Sequence, residues 1–272
     1  ADLFSLECQN LDRAGCRRFH SARGMVQARV SEVEASPATP MIEVLYRDDY
    51  LAVVNKPAGL MAHSSALARG EDDFLHDRLR EQFGCKIFLI HRLDRATSGC
   101  LLVAFDNQSA SILGKQFMTR DVEKKYLAIC RGWPDESFTV DYDLDGGPGK
   151  PEKKPAITEF RRLATAEIEM ASAHHESSRY ALVQCMPYTG RFRQIRRHLK
   201  HVFHHLIGDT SHGDGRHNRN FRMMGVHRML LHARELSFQH PVSQERLSCV
   251  AGWDAEFEKA MQKMGWDHSG SK

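Results

Sequence analysis

The apolar and polar positions show no sustained pattern over the first forty residues, and a regular pattern begins at Met41. Residues 41–60, MIEVLYRDDYLAVVNKPAGL, are two apolar runs around an Arg-Asp-Asp turn, which predicts a β-hairpin that leads into a Pro/Gly loop. Residues 72–84, DDFLHDRLREQFG, begin with acids, space their apolar residues by four and close with glycine. This second pattern predicts a short helix.

The rest of the chain alternates strand-like and helical stretches. Residues 189–203 form an amphipathic stretch that places Ile195, Leu199 and Val202 on one side, so that its arginines emerge on others. The other predictions are a strand-loop-strand over 90–105, a helix over 107–118, strands over 124–133 and 180–186, and a flexible basic insertion over 143–156. Interspersed elements of both kinds predict one mixed α+β domain around a large, mainly antiparallel sheet.

Length and composition narrow the class of protein. The chain has 272 residues, of which 42% are hydrophobic, enough for a sizeable core. No stretch approaches the ~18 consecutive apolar residues of a membrane span, and the first residues lack a secretory pattern, so a cytoplasmic protein is expected. The seven cysteines are scattered without a C-x-x-C pair, which favours reduced packing residues over a metal site or a disulfide framework. Residues 1–40 are expected to be a mobile extension, and residues 41–272 the functional domain.

Charge is distributed unevenly along the chain. Between Tyr188 and Arg234 there are ten Lys/Arg residues and two acids, whereas the net charge of the whole chain is +3. Such a segment is typical of a protein that binds a polyanion, most simply nucleic acid. Four histidines in this segment, His198, His201, His204 and His205, have helical spacings that could hold a metal. We expect them instead to line a basic face that contacts RNA, and we predict no metal site.

Several motifs carry a resemblance to a known family. The stretch HRLDRATSG, which contains Asp94, resembles the central motif of the RluA-type RNA pseudouridine synthases. The other motifs fall in the family's order over roughly residues 41–252: VVNKPAGL before this stretch, and KKYLAICRG, TGRFRQIRRHL, LIGD and LLHA after it. The resemblance implies a single catalytic domain with a bent, mainly antiparallel mixed sheet and a central RNA-binding cleft. Many relatives carry an additional N-terminal S4 module, for which residues 1–40 are too short.

The resemblance also implies roles for individual residues. Asp94 corresponds to the catalytic aspartate, Arg196 to the arginine that keeps it charged, and Tyr126 to the tyrosine that stacks on the target base. Ile195 lines the pocket, and Arg92 fills the gap that a flipped nucleotide leaves. The nearby arginines Arg191, Arg193 and Arg197 are expected to bind the substrate; Arg193 stands where the family usually has histidine.

The expected reaction explains why a carboxylate is needed. Isomerising uridine requires cleavage of the C1′–N1 bond, rotation of the uracil and joining of C5 to C1′, without a cofactor. An ionised carboxylate can act as a nucleophile at C1′ or remove a 2′ proton, and the sequence leaves both routes open. A carboxylate in a water-poor pocket tends to protonate, hence the need for a neighbouring cation.

The target and the partners are predicted less directly. Residues 208–221, GDTSHGDGRHNRNF, resemble the branch of the family that modifies uridine 65 of tRNA and suggest a compact basic loop. We therefore expect a monomer that acts on tRNA without an obligate protein partner. The alternatives are the same reaction on ribosomal RNA and, less favoured, RNA binding without catalysis. A glycoside hydrolase is disfavoured because it normally uses two carboxylates.

Overall fold

The computed structural model describes residues 40–63, 72–171 and 175–266. The predicted extension, residues 1–40, lies outside them except for Pro40. The described elements are, in chain order, β1 (Glu43–Arg47), β2 (Leu51–Lys56), α1 (Leu75–Phe83), β3 (Phe88–Leu89), β4 (Ser98–Ala104), α2 (Asn107–Thr119), β5 (Glu123–Arg131), β6 (Ser137–Asp141), β7 (Leu144–Asp145), β8 (Lys153–Lys154), β9 (Ile157–Ile168), β10 (Ser178–Pro187), α3 (Gln194–His201), α4 (Gly215–Met223), β11 (Leu231–Gln239), β12 (Arg246–Val250) and α5 (Ala255–Lys263). None of the described helices combines the length and the hydropathy that a membrane span requires.

Ten strands form one mixed sheet. Its main order is β1-β2-β4-β11-β5-β10-β9-β6, with β3 beside β4 and β12 beside β11. All of these pairings are antiparallel except that of β4 with β11. The predicted α+β fold with a mainly antiparallel sheet is confirmed.

The parallel pairing of β4 with β11 is a narrow junction in the sheet. It consists of Ser98 opposite His232 and Gly99 opposite Ala233, after which β4 continues beside β3 and β11 beside β12. Gly99 has a φ of 110°, and a Cβ on it would lie 2.2 Å from the carbonyl oxygen of Ala233. Only glycine therefore permits the two halves of the sheet to meet here.

The predicted helices form where local signals favour them. Helix α1 ends at Gly84, whose left-handed backbone caps it, but it begins at Leu75, later than the acids suggested. Helix α2 begins after Asp106, whose side chain accepts a hydrogen bond from the backbone N–H of Ser109 at 2.8 Å. Its buried Leu113 packs with residues of β2, β4 and β11.

Two expectations about loops were wrong. Residues 143–156 contain three acids and three lysines, so the segment is not basic, and β7 and β8 pair within it as a small hairpin. The Arg197 guanidinium donates to the Asp145 carboxylate at 2.7 Å and fixes this hairpin to α3. Residues 208–221 are not only a loop, because α4 begins within them.

Strand β5 divides the core between two faces of the sheet. Leu127 and Ile129 pack towards α4 and α5, whereas Ala128 and Cys130 pack towards α3. Since side chains alternate along a strand, Tyr126 lies on the α3 side, where it contacts the same cluster. This arrangement brings the predicted tyrosine and the predicted arginines of α3 to one face.

Candidate active site

A cleft of about 740 Å³ opens on this face of the sheet. It lies between the loop that precedes β4, the first half of β5 and the start of α3. Seven of the eight predicted site residues line it: Arg92, Asp94, Tyr126, Arg191, Arg193, Ile195 and Arg196. Residues that are more than a hundred positions apart are thus brought into one pocket.

The carboxylate of Asp94 is bound to a guanidinium within the cleft. Nη1 of Arg196 donates to Oδ2 of Asp94 at 2.8 Å. The Asp94 side chain keeps 25% of its surface exposed, whereas that of Arg196 keeps 7%. The carboxylate is therefore paired with a nearly buried cation and still open to the cleft.

Arg196 is itself held by a second carboxylate, that of Asp209. Its Nε and Nη2 donate to the two carboxylate oxygens at 2.6 and 2.8 Å, the geometry in which arginine binds a carboxylate best. The Asp209 side chain is fully buried and also accepts from the backbone N–H groups of Ser211 and His212. Burial acts to raise the pKa of Asp209, but these donors outweigh it and hold the pKa below its usual value.

Apolar groups and a ring form the floor of the cleft. Ile195 and Leu231 are buried in its lining, and Tyr126 is half-buried beside them. Burial, followed by the negative charge of Asp94, raises the pKa of the Tyr126 phenol, so its hydroxyl stays protonated at neutral pH. A planar ring beside an anchored carboxylate can stack on a base whose sugar faces the carboxylate.

Three further arginines lie at the edge of the cleft. Arg92 is exposed, and Nε of Arg191 donates to the carbonyl of Pro155 at 3.0 Å. Arg193 precedes α3 with a left-handed φ of 52°, and its guanidinium lies 4.8 Å from the centre of the Phe192 ring. These cations are available where a polyanion would enter.

Residues 50–201 match the family described as RNA pseudouridylate synthase. The chain belongs to this family. It is 41% identical over 239 residues to tRNA pseudouridine synthase C of Vibrio cholerae, covering 84% of this chain and 98% of that protein. The corresponding protein of Haemophilus influenzae is 39% identical over 238 residues, with 84% and 100% covered. Among solved structures, human RNA Pseudouridylate Synthase Domain Containing 1 is similar, with 26% identity, a TM-score of 0.62 and 80% and 86% of the two chains covered.

Membership of this family makes the chain an isomerase that forms pseudouridine in RNA. Isomerisation of uridine breaks one bond at C1′ and forms another, so the site must present one reactive group to the sugar. The Asp94 carboxylate lies in the cleft, and its Oδ2 is the oxygen that Arg196 binds. The cleft therefore presents a partly exposed carboxylate, paired with a cation, beside the ring of Tyr126.

The expectation that the histidines of the basic segment contact RNA is wrong for His198, and Arg197 is placed apart from the other predicted site residues. Arg197 lies outside the cleft lining, with its guanidinium bound to Asp145, so its predicted contact with RNA stays a prediction. His198 is fully buried, with Nε2 3.2 Å from the carbonyl of Tyr142, and cannot contact RNA. His201 instead stacks on the ring of Tyr142 at 3.8 Å.

The count of charges between Tyr188 and Arg234 also overstated the basic surface. Arg196 and Arg228 are largely buried and paired with aspartates. Arg234 donates to the carbonyl of Ala251. These cations organise the protein itself, so the charge available to RNA is smaller than the sequence suggests.

Two site residues were missed as such, although both lie in the quoted motifs. Lys56 of NKP is fully buried and donates to the carbonyls of Pro57, Arg95 and Thr97 at 2.8, 3.1 and 2.9 Å. It thereby holds the loop that carries Asp94, and its burial lowers its pKa to about 7. Asp209 of LIGD was counted only as an acid in a basic segment. The amino-acid sequence alone does not distinguish a buried lysine or aspartate from an exposed one.

Proposed function

We propose that this protein converts uridine 65 of tRNA to pseudouridine with Asp94 as the catalytic residue. The observation that carries the proposal is the chain of ionic hydrogen bonds from Asp94 through Arg196 to buried Asp209, beside Tyr126 in one cleft. Asp209 fixes the guanidinium, and the guanidinium places a positive charge against the Asp94 carboxylate.

The proposed reaction assigns one task to each residue. Asp94 attacks C1′ or removes the 2′ proton, and the C1′–N1 bond breaks. The uracil turns while stacked on Tyr126, and C5 bonds to C1′ as the Asp94–C1′ bond breaks or, on the other route, as the 2′ proton returns from Asp94. The C5 proton then leaves and N1 gains a proton. Atoms and electrons balance without a cofactor. Arg92, exposed at the edge of the cleft, occupies the gap that the flipped nucleotide leaves.

Two observations support tRNA as the substrate: the names of similar proteins and one basic surface on this protein. The relatives from Vibrio cholerae and Haemophilus influenzae carry the name tRNA pseudouridine synthase C. Helix α4, which begins within the stretch that resembles that branch, exposes Arg216, Arg219 and Arg222 at intervals of three, along one side of the helix. An A-form stem is recognised mainly through its phosphates and 2′-hydroxyls, which such a row can bind. We further propose that the protein works as a cytoplasmic monomer without an obligate protein partner.

Mapping of pseudouridine with carbodiimide and primer extension tests this proposal. The purified protein is incubated with an unmodified tRNA that has uridine at position 65, with the same tRNA carrying cytidine there, and with naked large-subunit ribosomal RNA. We expect modification of the first RNA alone, at position 65. Modification confined to ribosomal RNA would move the target to that RNA, and binding without modification of any RNA would support the non-catalytic alternative.

A further inference from the structure

The cleft has a second wall, which the roles proposed above do not use. It is formed by the end of α2 and the start of β5, and its residues are Gly114, Phe117, Met118, Arg120 and Lys124. A Cβ placed on Gly114 would meet no atom within 4 Å, and 78% of the surface of Met118 is exposed. This wall is therefore open to a ligand larger than the nucleoside that contacts Asp94.

Lys124 points to the same side as the site tyrosine. It precedes Tyr126 by two residues in β5, and residues two apart in a strand share a face at about 7 Å. The residue between them, Lys125, is paired with Glu235 at 3.0 Å. Strand β5 thus directs one neutralised lysine away from the cleft and one lysine into its lining.

The cations on this wall are not neutralised by the part of the protein that the structure describes. Within residues 40–63, 72–171 and 175–266, neither Lys124 nor Arg120 has an acidic partner within salt-bridge distance. Burial lowers the pKa of Lys124, and the charge of Arg120 lowers it further. Two cations that repel one another in a cleft are stabilised by an anion placed between them.

The surface beneath the cations is neutral. His91 stacks on Phe117 with ring centres 4.8 Å apart, and its Nε2 accepts a hydrogen bond from the backbone N–H of Leu102 at 3.1 Å. Burial, followed by the charge of Lys124, lowers the pKa of His91 to about 3. Any anion on this wall is therefore bound by the lysine and the arginine rather than by the histidine.

We propose that Lys124 and Arg120 form a subsite for a backbone phosphate of the substrate RNA, close to the target uridine. The inference rests on the proposed function for its occupant, because an RNA strand that presents a uridine to Asp94 must continue through the same cleft. A phosphodiester supplies the missing negative charge, and the exposed Met118 lies where an adjoining nucleotide would pass. The subsite positions the strand and takes no part in bond breaking.

Affinity at several salt concentrations tests the subsite. Lys124→Ala, Arg120→Ala and the double variant are compared with Lys115→Ala. Lys115 is an exposed lysine of α2 that lies outside the cleft lining. The probe is an unmodified tRNA transcript, from about 50 to about 200 mM salt, where each lost phosphate contact reduces the slope of log K against log salt by roughly 0.7–0.9. We expect each single variant to weaken binding several-fold with such a loss of slope, and Lys115→Ala to match the wild type.

The outcomes separate the subsite from the proposed function. An unchanged slope in folded Lys124→Ala and Arg120→Ala proteins, as judged by circular dichroism, overturns the subsite even if the wild type makes pseudouridine. A rate loss at saturating RNA with intact affinity also overturns it, because it would place Lys124 in the chemical step. Loss of slope in a protein that modifies no RNA supports the subsite and rejects the proposed function. Lys124→Arg, which keeps the charge, is expected to restore most of the slope.

Discussion

The guanidinium of Arg196 lies 2.8 Å from the carboxylate of Asp94, although 102 residues separate them in the chain. Asp94 belongs to the loop before β4, in one half of the sheet. Arg196 belongs to α3, which packs on the cluster formed by β5 and β10 in the other half. The pair therefore exists only when both halves are assembled.

Replacing Asp94 with asparagine removes the carboxylate and keeps the shape of the side chain. We expect turnover to fall below detection in the tRNA mapping assay, while RNA binding stays within a few-fold of the wild type. Asp143→Asn, at an exposed position outside the cleft lining, is the matched control and should stay fully active. Activity within tenfold of the wild type in Asp94→Asn would reject Asp94 as the catalytic residue.

Replacing Arg196 with lysine tests whether a positive charge alone at this position supports catalysis. A lysine keeps the charge but cannot bind both oxygens of Asp209 and also reach Asp94. We expect the single-turnover rate at saturating RNA to fall by about 10²-fold or more, the order that one positioned donor contributes. Arg80→Lys, at an exposed position of α1, serves as control. A change in affinity alone would contradict this role.

The two carboxylates bound by Arg196 should differ in their contribution to stability. Asp209→Ala leaves a nearly buried guanidinium short of a partner and should lower the free energy of unfolding by about 3–5 kcal/mol. Asp94→Ala, at a side chain with 25% of its surface exposed, should cost no more than about 1 kcal/mol. Urea unfolding measures both, and equal losses would contradict the ranking.

The ionisation of Asp209 should also make the stability of the fold depend on pH. Because the folded-state pKa of Asp209 lies below its unfolded value, this carboxylate stabilises the fold fully above the unfolded pKa, at about 4. Its contribution is lost as the pH falls through the folded pKa.

The ring of Tyr126 should contribute more to tRNA affinity than its hydroxyl group does. Tyr126→Phe keeps the stacking surface, so tRNA affinity should stay within a few-fold, whereas Tyr126→Ala should lose about 1–3 kcal/mol of stacking. Because the pKa of the phenol is raised by burial and by Asp94, wild type and Tyr126→Phe should have parallel pH–rate profiles up to pH ~10. Fluorescence anisotropy and single-turnover rates supply the two measurements. Equal affinities of the two variants would exclude stacking.

Lys56 should make the free energy of unfolding depend on pH above neutrality. Its pKa is lowered to about 7 in the fold from about 10.4 in the unfolded chain, so between these values the unfolded state binds a proton that the folded state does not. Stability therefore rises with pH in this window. We expect the free energy of unfolding of wild type, relative to Lys56→Met, to rise by roughly 2–3 kcal/mol between pH 7 and pH 9. Urea unfolding at both pH values is the measurement, and parallel changes would contradict the assignment.

Periodicity and turn residues predicted much of the fold. The β1–β2 hairpin, α1, α2, β5 and α3 all follow from local signals: apolar runs, their spacing and the turn residues between them. The parallel pairing of β4 with β11 could not be predicted, since it joins residues 134 positions apart. The β7–β8 hairpin was missed because its Gly/Pro-rich sequence resembles a linker, while its ordering contact comes from Arg197.

Sequence motifs predicted only those residues of the candidate site that lie within the motifs. Asp94, Tyr126 and Arg196 stand in motifs that resemble a family, and the structure brings them together in the cleft. The partners that hold them, Asp209 and Lys56, required knowledge of burial. The charge count failed for a related reason, because Arg228 and Arg196 are used inside the protein.

The contact of Gly99 with Ala233 has a consequence for how activity arises during folding. Local elements such as α1 or the β1–β2 hairpin can form early, because they need few distant contacts. The pairing of β4 with β11, which joins the two halves of the sheet at Gly99, requires contact between chain segments that are far apart in sequence. Asp94 and Arg196 lie in the two halves that this pairing joins, so we expect a chain with only its local secondary structure in place to be inactive. Enzymatic activity should therefore report on the completed tertiary structure rather than on secondary structure.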